Sequence, residues 1–222
     1  IKKEFINCNS KILLNAEIYN QGFNTEKKLI EGNHYKTGSY YRFFPIFGIG
    51  SETPLKIKKY FPNLTLNPKI NLVLAPGISN SNKLSNEDST INDFSIENIY
   101  RLNRYSGSDK LDNSKRITYS INAYTDNFKS SLSQSYEFTN NSNFHKEQGN
   151  DDNLSDLLGS IEYLNDNELS YDFRYDLNDQ YLKKQNIDIK SKTKFGELAF
   201  SYLDQNSKIN EIITNDTETI NY

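Results

Sequence analysis

From Glu168 to Leu177 the chain alternates residue by residue. Leu169, Tyr171, Phe173, Tyr175 and Leu177 fall on one face of an extended chain, and Glu168, Ser170, Asp172, Arg174 and Asp176 fall on the other. One face is apolar and aromatic; the other is charged. In water this pattern makes a half-buried strand. In a membrane it makes a strand with lipid on one side and an aqueous lumen on the other.

The same period recurs along the chain between turn-forming clusters. It predicts about ten strands, over 8–22, 38–52, 63–76, 114–125, 129–139, 156–165, 168–178, 182–193, 196–205 and 210–222. Many approach the roughly 9–11 residues that cross a bilayer at a tilt. The expected connections alternate in length. Thr125–Phe128, Asn165–Asn167 and Thr193–Phe195 read as short polar turns, whereas Thr25–Thr37, Gly77–Asn113 and Asn140–Ser155 read as long polar loops. Asp179–Tyr181 is a short connection on the long-loop side. Outer-membrane barrels have short turns at one end and longer loops at the other.

The apolar faces are built from Leu64, Leu66, Ile70, Leu72 and Leu74, then Ile117, Tyr119, Ile121 and Ala123, then Leu132, Tyr136 and Phe138, and later Leu198, Phe200 and Tyr202. Leu169, Tyr171, Phe173 and Tyr175 are the candidate lipid-facing residues of the most regular strand. Asp172, Arg174, Asp176, Asp188 and Lys190 are the candidate lumen-facing ones. Asp172, Arg174 and Asp176 are expected beside Asp188, Lys190 and Lys192 of the next strand. Opposite charges across a ladder contribute about 0.2–1 kcal/mol each. A face this charged cannot be a dry sandwich core, but it suits a wet lumen. A soluble sheet is the alternative, with the charged face in water and the aromatic face under a second layer.

Segment 38–52 departs from alternation. Tyr40, Tyr41, Phe43, Phe44, Ile46 and Phe47 are apolar on both faces, and Pro45 lacks a ladder donor. Two expectations follow: a strand covered inside the lumen by a plug or loop, or an irregular strand near a rim. Gly48–Gly50 reads as a strand irregularity.

Composition narrows the choice. The 222 residues are 35% hydrophobic and 13% aromatic, with Tyr 16, Phe 13 and Trp 0. That is lean for a compact soluble domain and suits a barrel, where alternate residues alone meet lipid. No apolar run approaches the roughly 18 residues of a membrane helix. The net charge of −3 gives no basic footprint for nucleic acid. Cys8 is a lone cysteine, so no internal disulfide forms. Met is absent and no signal peptide precedes Ile1, so the chain reads as an internal stretch of a longer protein.

Candidate chemistry is sparse. His34 and His145 fall in expected loops without cysteine partners, so no metal site is expected. The serines lack a nearby histidine and nucleophile-elbow glycines, and no glycine-rich phosphate loop occurs. No catalytic constellation and no cofactor are expected.

The long loop and its flanks carry the specific signal. They read LTLNPKINLVLAPG from Leu64, NEDST from Asn86, DFSIENIYRLNRYSGSD from Asp93, KRITYSINAYTD from Lys115 and SLSQSYEFT from Ser131. This ordered series resembles the C-terminal β-barrel domain of the LptD family of lipopolysaccharide-assembly outer-membrane proteins, also called organic solvent tolerance proteins. The matching loop positions are Asp88, Asp93, Tyr100, Arg104, Tyr105, Gly107 and Asp109. YRFFP at Tyr41–Pro45 and SDLLGSIEY from Ser155 extend the likeness over roughly residues 38–205. Lys110 stands where the family has Arg, and Ser133 where Gly is common.

The resemblance implies an all-β antiparallel up-and-down meander of about ten strands, an open curved segment of a large outer-membrane β-barrel. Residues 1–222 would be part of one transmembrane domain with a long loop at 77–113. The implied role is non-enzymatic: inserting lipopolysaccharide into the outer leaflet at the cell outer membrane of a Gram-negative bacterium. Periplasmic LPS-bridge proteins and a plug lipoprotein of the LptE type are the implied partners. A porin or receptor β-barrel for small solutes is the first alternative, and a soluble β-sandwich adhesin the second. The loop 77–113 is expected to fold back over the barrel mouth or into the lumen, held by aromatic contacts and by Arg101 or Arg104 on carboxylates.

Overall fold

A computed structural model of the chain describes residues 1–7, 9–30, 34–57, 63–78, 80, 86, 88–90, 93–139, 153–194, 196–209 and 212–221. The fold is all-β. Its strands are β1 (Lys2–Asn7), β2 (Ser10–Ile30), β3 (His34–Glu52), β4 (Leu55–Lys56), β5 (Thr65–Leu74), β6 (Lys115–Tyr124), β7 (Phe128–Glu137), β8 (Leu157–Leu164), β9 (Asn167–Asp176), β10 (Tyr181–Thr193), β11 (Gly196–Ile209) and β12 (Ile212–Asn221). They form one open antiparallel sheet in the order β1-β2-β3-β5-β6-β7-β8-β9-β10-β11-β12. β4 extends the β3 ladder along β5, pairing Leu55 with Leu66 after the break at Thr53–Pro54. The proline has no N–H to give a ladder, which accounts for the interruption.

Apart from β4, each strand pairs with the next along the chain, through short turns at β6–β7, β8–β9 and β10–β11 and long segments at β5–β6 and β7–β8. The β6–β7 turn closes with the Thr125 N–H donating to the Phe128 carbonyl at 2.8 Å. Asn9 turns β1 into β2 with φ 71°, a left-handed conformation that asparagine tolerates. Gln180 does the same at the β9–β10 connection, with φ 56°.

Four details differ from the pattern-based reading. β1 was not expected, since Lys2–Asn7 shows little apolar alternation. The expected loop over Thr25–Thr37 is largely strand, with Thr25 paired to Gly38 and Lys28 to Lys36, so His34 lies in β3. Gly48–Gly50 is a regular piece of β3. The register of β9 on β10 sets Asp172 opposite Asn186 and Arg174 opposite Lys184, while Asp188 faces Ser170 and Lys190 faces Glu168. The expected pairing of Asp172, Arg174 and Asp176 with Asp188, Lys190 and Lys192 therefore does not form across the ladder. Cys8, His145 and the expected loop residues 140–152 lie outside the described residues.

The two faces of the sheet are unlike. The segment 93–114 lies against one of them and makes two small apolar cores there. Phe44, Ile46, Val73 and Ala75 pack with Leu102 and Leu111, and Leu158 packs with Phe94 and Ile99. Each fully buried side chain of this size contributes about 1.5–3 kcal/mol. Segment 38–52 is apolar on both faces because the loop covers the second one. Gly48 sits under Leu102: a Cβ there would lie 2.6 Å from the Leu102 Cδ2.

The opposite face is bare and apolar. Phe43, Phe47, Ile49, Ile70, Leu74, Tyr119, Ile121, Leu132 and Phe200 are all exposed, Phe43 and Phe47 at 53%. The buried set, by contrast, includes Arg42, Arg104, Arg116, Glu137, Asp156, Arg174 and Lys183. This inverts the usual arrangement of a soluble domain.

Candidate functional site

The covered face holds the loop through three charged anchors, each joining loop backbone or side chains to strands.

The first anchor is built on Asp88. Its carboxylate accepts the Ser108 N–H at 3.0 Å, the Asp109 N–H at 2.9 Å and the Ser108 hydroxyl at 2.9 Å. These backbone donors, Asp109 first, hold its carboxyl well below the ordinary carboxylate range. The Asp88 N–H in turn donates to the Asp109 carboxylate at 3.0 Å. Gly107 lets the chains come this close, because a Cβ there would collide with the Asp88 carbonyl oxygen. On the other side of the Ser108–Asp109 peptide, Arg42 of β3 donates to both carbonyls, reaching Asp109 at 2.8 Å. One strand arginine and one loop carboxylate thus grip the same two residues from opposite sides.

The second anchor is a dry quartet. Arg104 donates to both Asp112 oxygens, at 2.5 and 3.2 Å, and to Glu137 at 2.7 Å. Arg116 reaches Asp112 at 3.1 Å and also donates to the Arg101 carbonyl. Ser114 donates to Glu137 at 2.5 Å. Arg116 and Glu137 face each other directly across β6 and β7. Arg104, Asp112, Arg116 and Glu137 are 0–2% exposed. Two cations balance two anions, which is the condition under which such burial is tolerated. Tyr105, next to Arg104, is 4% exposed, and burial pushes its hydroxyl up to about 12.

The third anchor is part-exposed. Asp93 accepts from Lys184 at 2.7 Å and lies 3.9 Å from Arg174. Burial would raise the Asp93 carboxyl, but the Lys184 bond outweighs it and holds it low. Behind it, Arg174 lies 3.5 Å from Asp156, and Lys183 bridges Asp156 at 3.3 Å and Asp176 at 2.8 Å. Burial pushes the Asp156 carboxyl up to about 6, against the pull of Lys183 and Arg174. Lys183 and Lys184 both point to this face because a β-bulge falls between Leu182 and Lys184.

Asp88, Asp93, Arg104 and Asp109 take part in these anchors, Tyr105 and Gly107 adjoin them, and Tyr100 lies apart. Tyr100 donates to the Ser120 hydroxyl at 2.6 Å, and the Lys69 ammonium sits 3.9 Å over its ring. Arg104 makes the expected carboxylate pairs; the Arg101 side chain is exposed, and its carbonyl is what β6 uses. Arg174 and Asp176 are buried on the covered face, each 4% exposed, and Asp172, Asp188 and Lys190 share that face by register. Asp176 has a turn role as well, accepting the Asn178 and Asp179 N–H groups. Leu169, Tyr171, Phe173 and Tyr175 lie on the bare face, where Phe173 packs over Gly159 of β8.

Sequence reasoning missed Arg42, Asp112, Arg116, Asp156 and Lys183. Arg116 and Glu137 sit at polar positions of two alternating strands, which could have marked them as a pair. Lys183 had no such signal, since only the bulge turns it inward. Among the described residues no group of three or more His, Cys, Asp or Glu side chains could hold a metal.

A comparison with curated proteins finds no match. The family model for LptD, LPS transport system D, matches residues 2–221. That span covers the sheet, the loop and all three anchors, and the family's place is lipopolysaccharide transport at the outer membrane of Gram-negative bacteria. The chain belongs to the LptD family.

Proposed function

We propose that this chain is a wall segment of the translocon that inserts lipopolysaccharide into the outer leaflet. The bare face, with Leu169, Tyr171, Phe173 and Tyr175, meets lipid. The covered face, with Asp172, Arg174, Asp176, Asp188 and Lys190, lines a wet lumen that accepts the sugars and phosphates of the cargo. The observation that carries this reading is the inversion of polarity: Phe43 and Phe47 are bare while Arg104, Arg116 and Glu137 are buried. A transmembrane barrel wall needs that arrangement.

In this reading the loop 77–113 is a plug domain of the wall. Its ends are drawn together, the Ala75 N–H bonding the Ser114 carbonyl at 3.0 Å and the Gly77 N–H the Asn113 side chain at 2.9 Å. Loops of this length are usually functional or disordered, and the ion quartet argues for function. Periplasmic bridge proteins deliver the cargo, and a plug lipoprotein of the LptE type is the expected partner on the polar face. The role is transport without catalysis.

Deleting residues 92–109 in the full-length protein is expected to impair assembly or the outer-membrane barrier, read as sensitivity to large hydrophobic antibiotics. Wild-type resistance with wild-type surface lipopolysaccharide would contradict a working role for the loop.

A further inference from the structure

The bare face is not apolar from edge to edge. One rung of the ladder starts at Ile121 on β6 and passes through Leu132, Gly159 and Phe173. It continues through Gln185 and Asp204 to Glu218 on β12. Paired positions share a face of the sheet, so all of these lie on the bare side with Phe173. The first half of the rung is apolar and the second half is polar. Two residues nearer the short turns, the rung through Tyr171, Ile187, Tyr202 and Ile220 is apolar to its end. Beyond Asp204 on the other side, Asn206 pairs with Asn215, and Leu182 and Ile213 are the apolar residues there.

Asp204 is buried, and its carboxylate accepts the side-chain amides of Gln185 at 2.9 Å and Asn206 at 3.1 Å. The Tyr171 hydroxyl reaches the Gln185 side-chain oxygen at 3.5 Å. Both amides are neutral, and Glu218 sits opposite Asp204 across the ladder. Like charges so placed repel, and a carboxylate set in hydrocarbon without a cation is strongly disfavoured. The pair belongs where water or polar headgroups screen it.

The apolar runs of the strands slide to match. On β3 the run Tyr41–Ile49 ends at Ser51, which pairs with Ile70, so it lies wholly on the long-loop side of the Ile70 rung. On β9 the run Leu169–Tyr175 sits astride the rung at Phe173. On β11 the run Leu198–Tyr202 ends at Asp204, so it lies wholly on the short-turn side of that rung. Barrel strands tilt by about 35–45°. With strands about 4.8 Å apart and a rise of about 3.3 Å per residue, a level line then slips by about 1 to 1.5 residues along each successive strand. The slide from β3 through β9 to β11 runs in one direction, as such a tilt requires.

We propose that the hydrocarbon belt crosses the bare face obliquely, from Phe43 and Phe47 on β3 to Phe200 and Tyr202 on β11, and that Gln185, Asp204, Asn206 and Glu218 form a ledge above it that meets the polar headgroup layer. The proposal rests on the reading of the bare face as the lipid face, and it narrows that reading. Lipid chains touch β10–β12 only below the ledge, and the ends of β11 and β12 beyond Asp204 stand clear of hydrocarbon.

The test compares sites on one rung of the full-length protein in phosphatidylcholine bilayers. Nitroxides at 121, 132 and 218 are read by collision with oxygen and with a water-soluble nickel chelate. Nickel collision is expected to be lost at 121 and 132 and strong at 218. On β3 it is expected to be lost at 47 and present at 51. Equal depth at 121, 132 and 218 would overturn the oblique belt. A nitroxide at 218 shielded from both reagents would place a protein partner on the ledge and overturn its contact with headgroups. Nickel access at 47, 121 and 132 together would instead overturn the lipid reading on which the belt rests. Arginine gives a second measure, because a cation on a lipid-facing position is destabilising according to its depth. Ile121→Arg is expected to lose the heat-modifiable folded form on gels, whereas Glu218→Arg, on the same rung, is expected to keep it. Equal behaviour of the two variants would overturn the difference in depth.

Discussion

Gly107 is the residue where the loop's geometry is least negotiable. The Ser108 and Asp109 amides reach the Asp88 carboxylate because nothing projects from position 107. Gly107→Ala is therefore expected to push this corner apart and expose the loop to limited proteolysis. A protease pattern identical to wild type would show that the corner has slack. Glu137 makes a second, independent case. Replacing one member of a buried ion network leaves its partners uncompensated, at a cost of about 3–5 kcal/mol. Glu137→Gln removes one of the two carboxylates that balance Arg104 and Arg116. The expected result is poor assembly of the full-length barrel, measured as loss of the heat-modifiable folded form on gels. Normal folded yield would contradict a structural role for the quartet.

At the scale of elements, alternation made most strands legible, because each has a bare apolar face that repeats every second residue. β9 is the clearest case, and its two faces lie as the pattern requires. The signal failed where the apolar face stops. Beyond Phe23, β2 is Asn24, Thr25, Glu26 and Lys27, polar on both sides, yet its backbone goes on pairing with β3. Backbone pairing leaves no mark in such a sequence. The loop's burial was legible from Phe94, Ile99 and Leu102, apolar residues with no strand period of their own. Its anchoring network was only half legible. Arg104 stood out within the loop, whereas Asp112 meets its partners Arg104 and Arg116 close by in sequence but in no regular period, Asp156 gained its role from Arg174 and Lys183 far along the chain, and Lys183 from a bulge.

Asp156, just ahead of β8, gives the pH dependence of that element. Its folded pKa of about 6 lies above the ordinary 3.8, because burial disfavours the carboxylate more than Lys183 and Arg174 favour it. A raised folded value contributes stability that is fully present below the unfolded pKa and lost as pH rises through the folded one. Protection of the Ser155 amide, corrected for intrinsic exchange, is thus expected to decline between about pH 4 and 6. Asp156→Asn is expected to flatten that decline. A decline unchanged in the variant would assign the titration to another group.

For the whole molecule, the sheet is open, with β1 and β12 at its two edges. Open edges invite pairing with further strands, and in water they promote aggregation. Expressed alone without detergent, the 222-residue chain is expected to aggregate. A monodisperse, cooperatively melting monomer would favour a sandwich over a barrel wall. In the proposed barrel wall the bare face meets lipid and the loop-covered face meets the lumen. On β6, Ile117, Tyr119 and Ile121 lie on the first, and Thr118 and Ser120 on the second. The most direct measurement is a nitroxide scan of positions 117–121 in the full-length protein in bilayers, comparing collision with lipid-soluble oxygen and with a water-soluble nickel chelate. High oxygen access is expected at 117, 119 and 121, with shielding from oxygen at 118 and 120. Oxygen access at 118 and 120 in place of the odd positions, or no alternation at all, would contradict it.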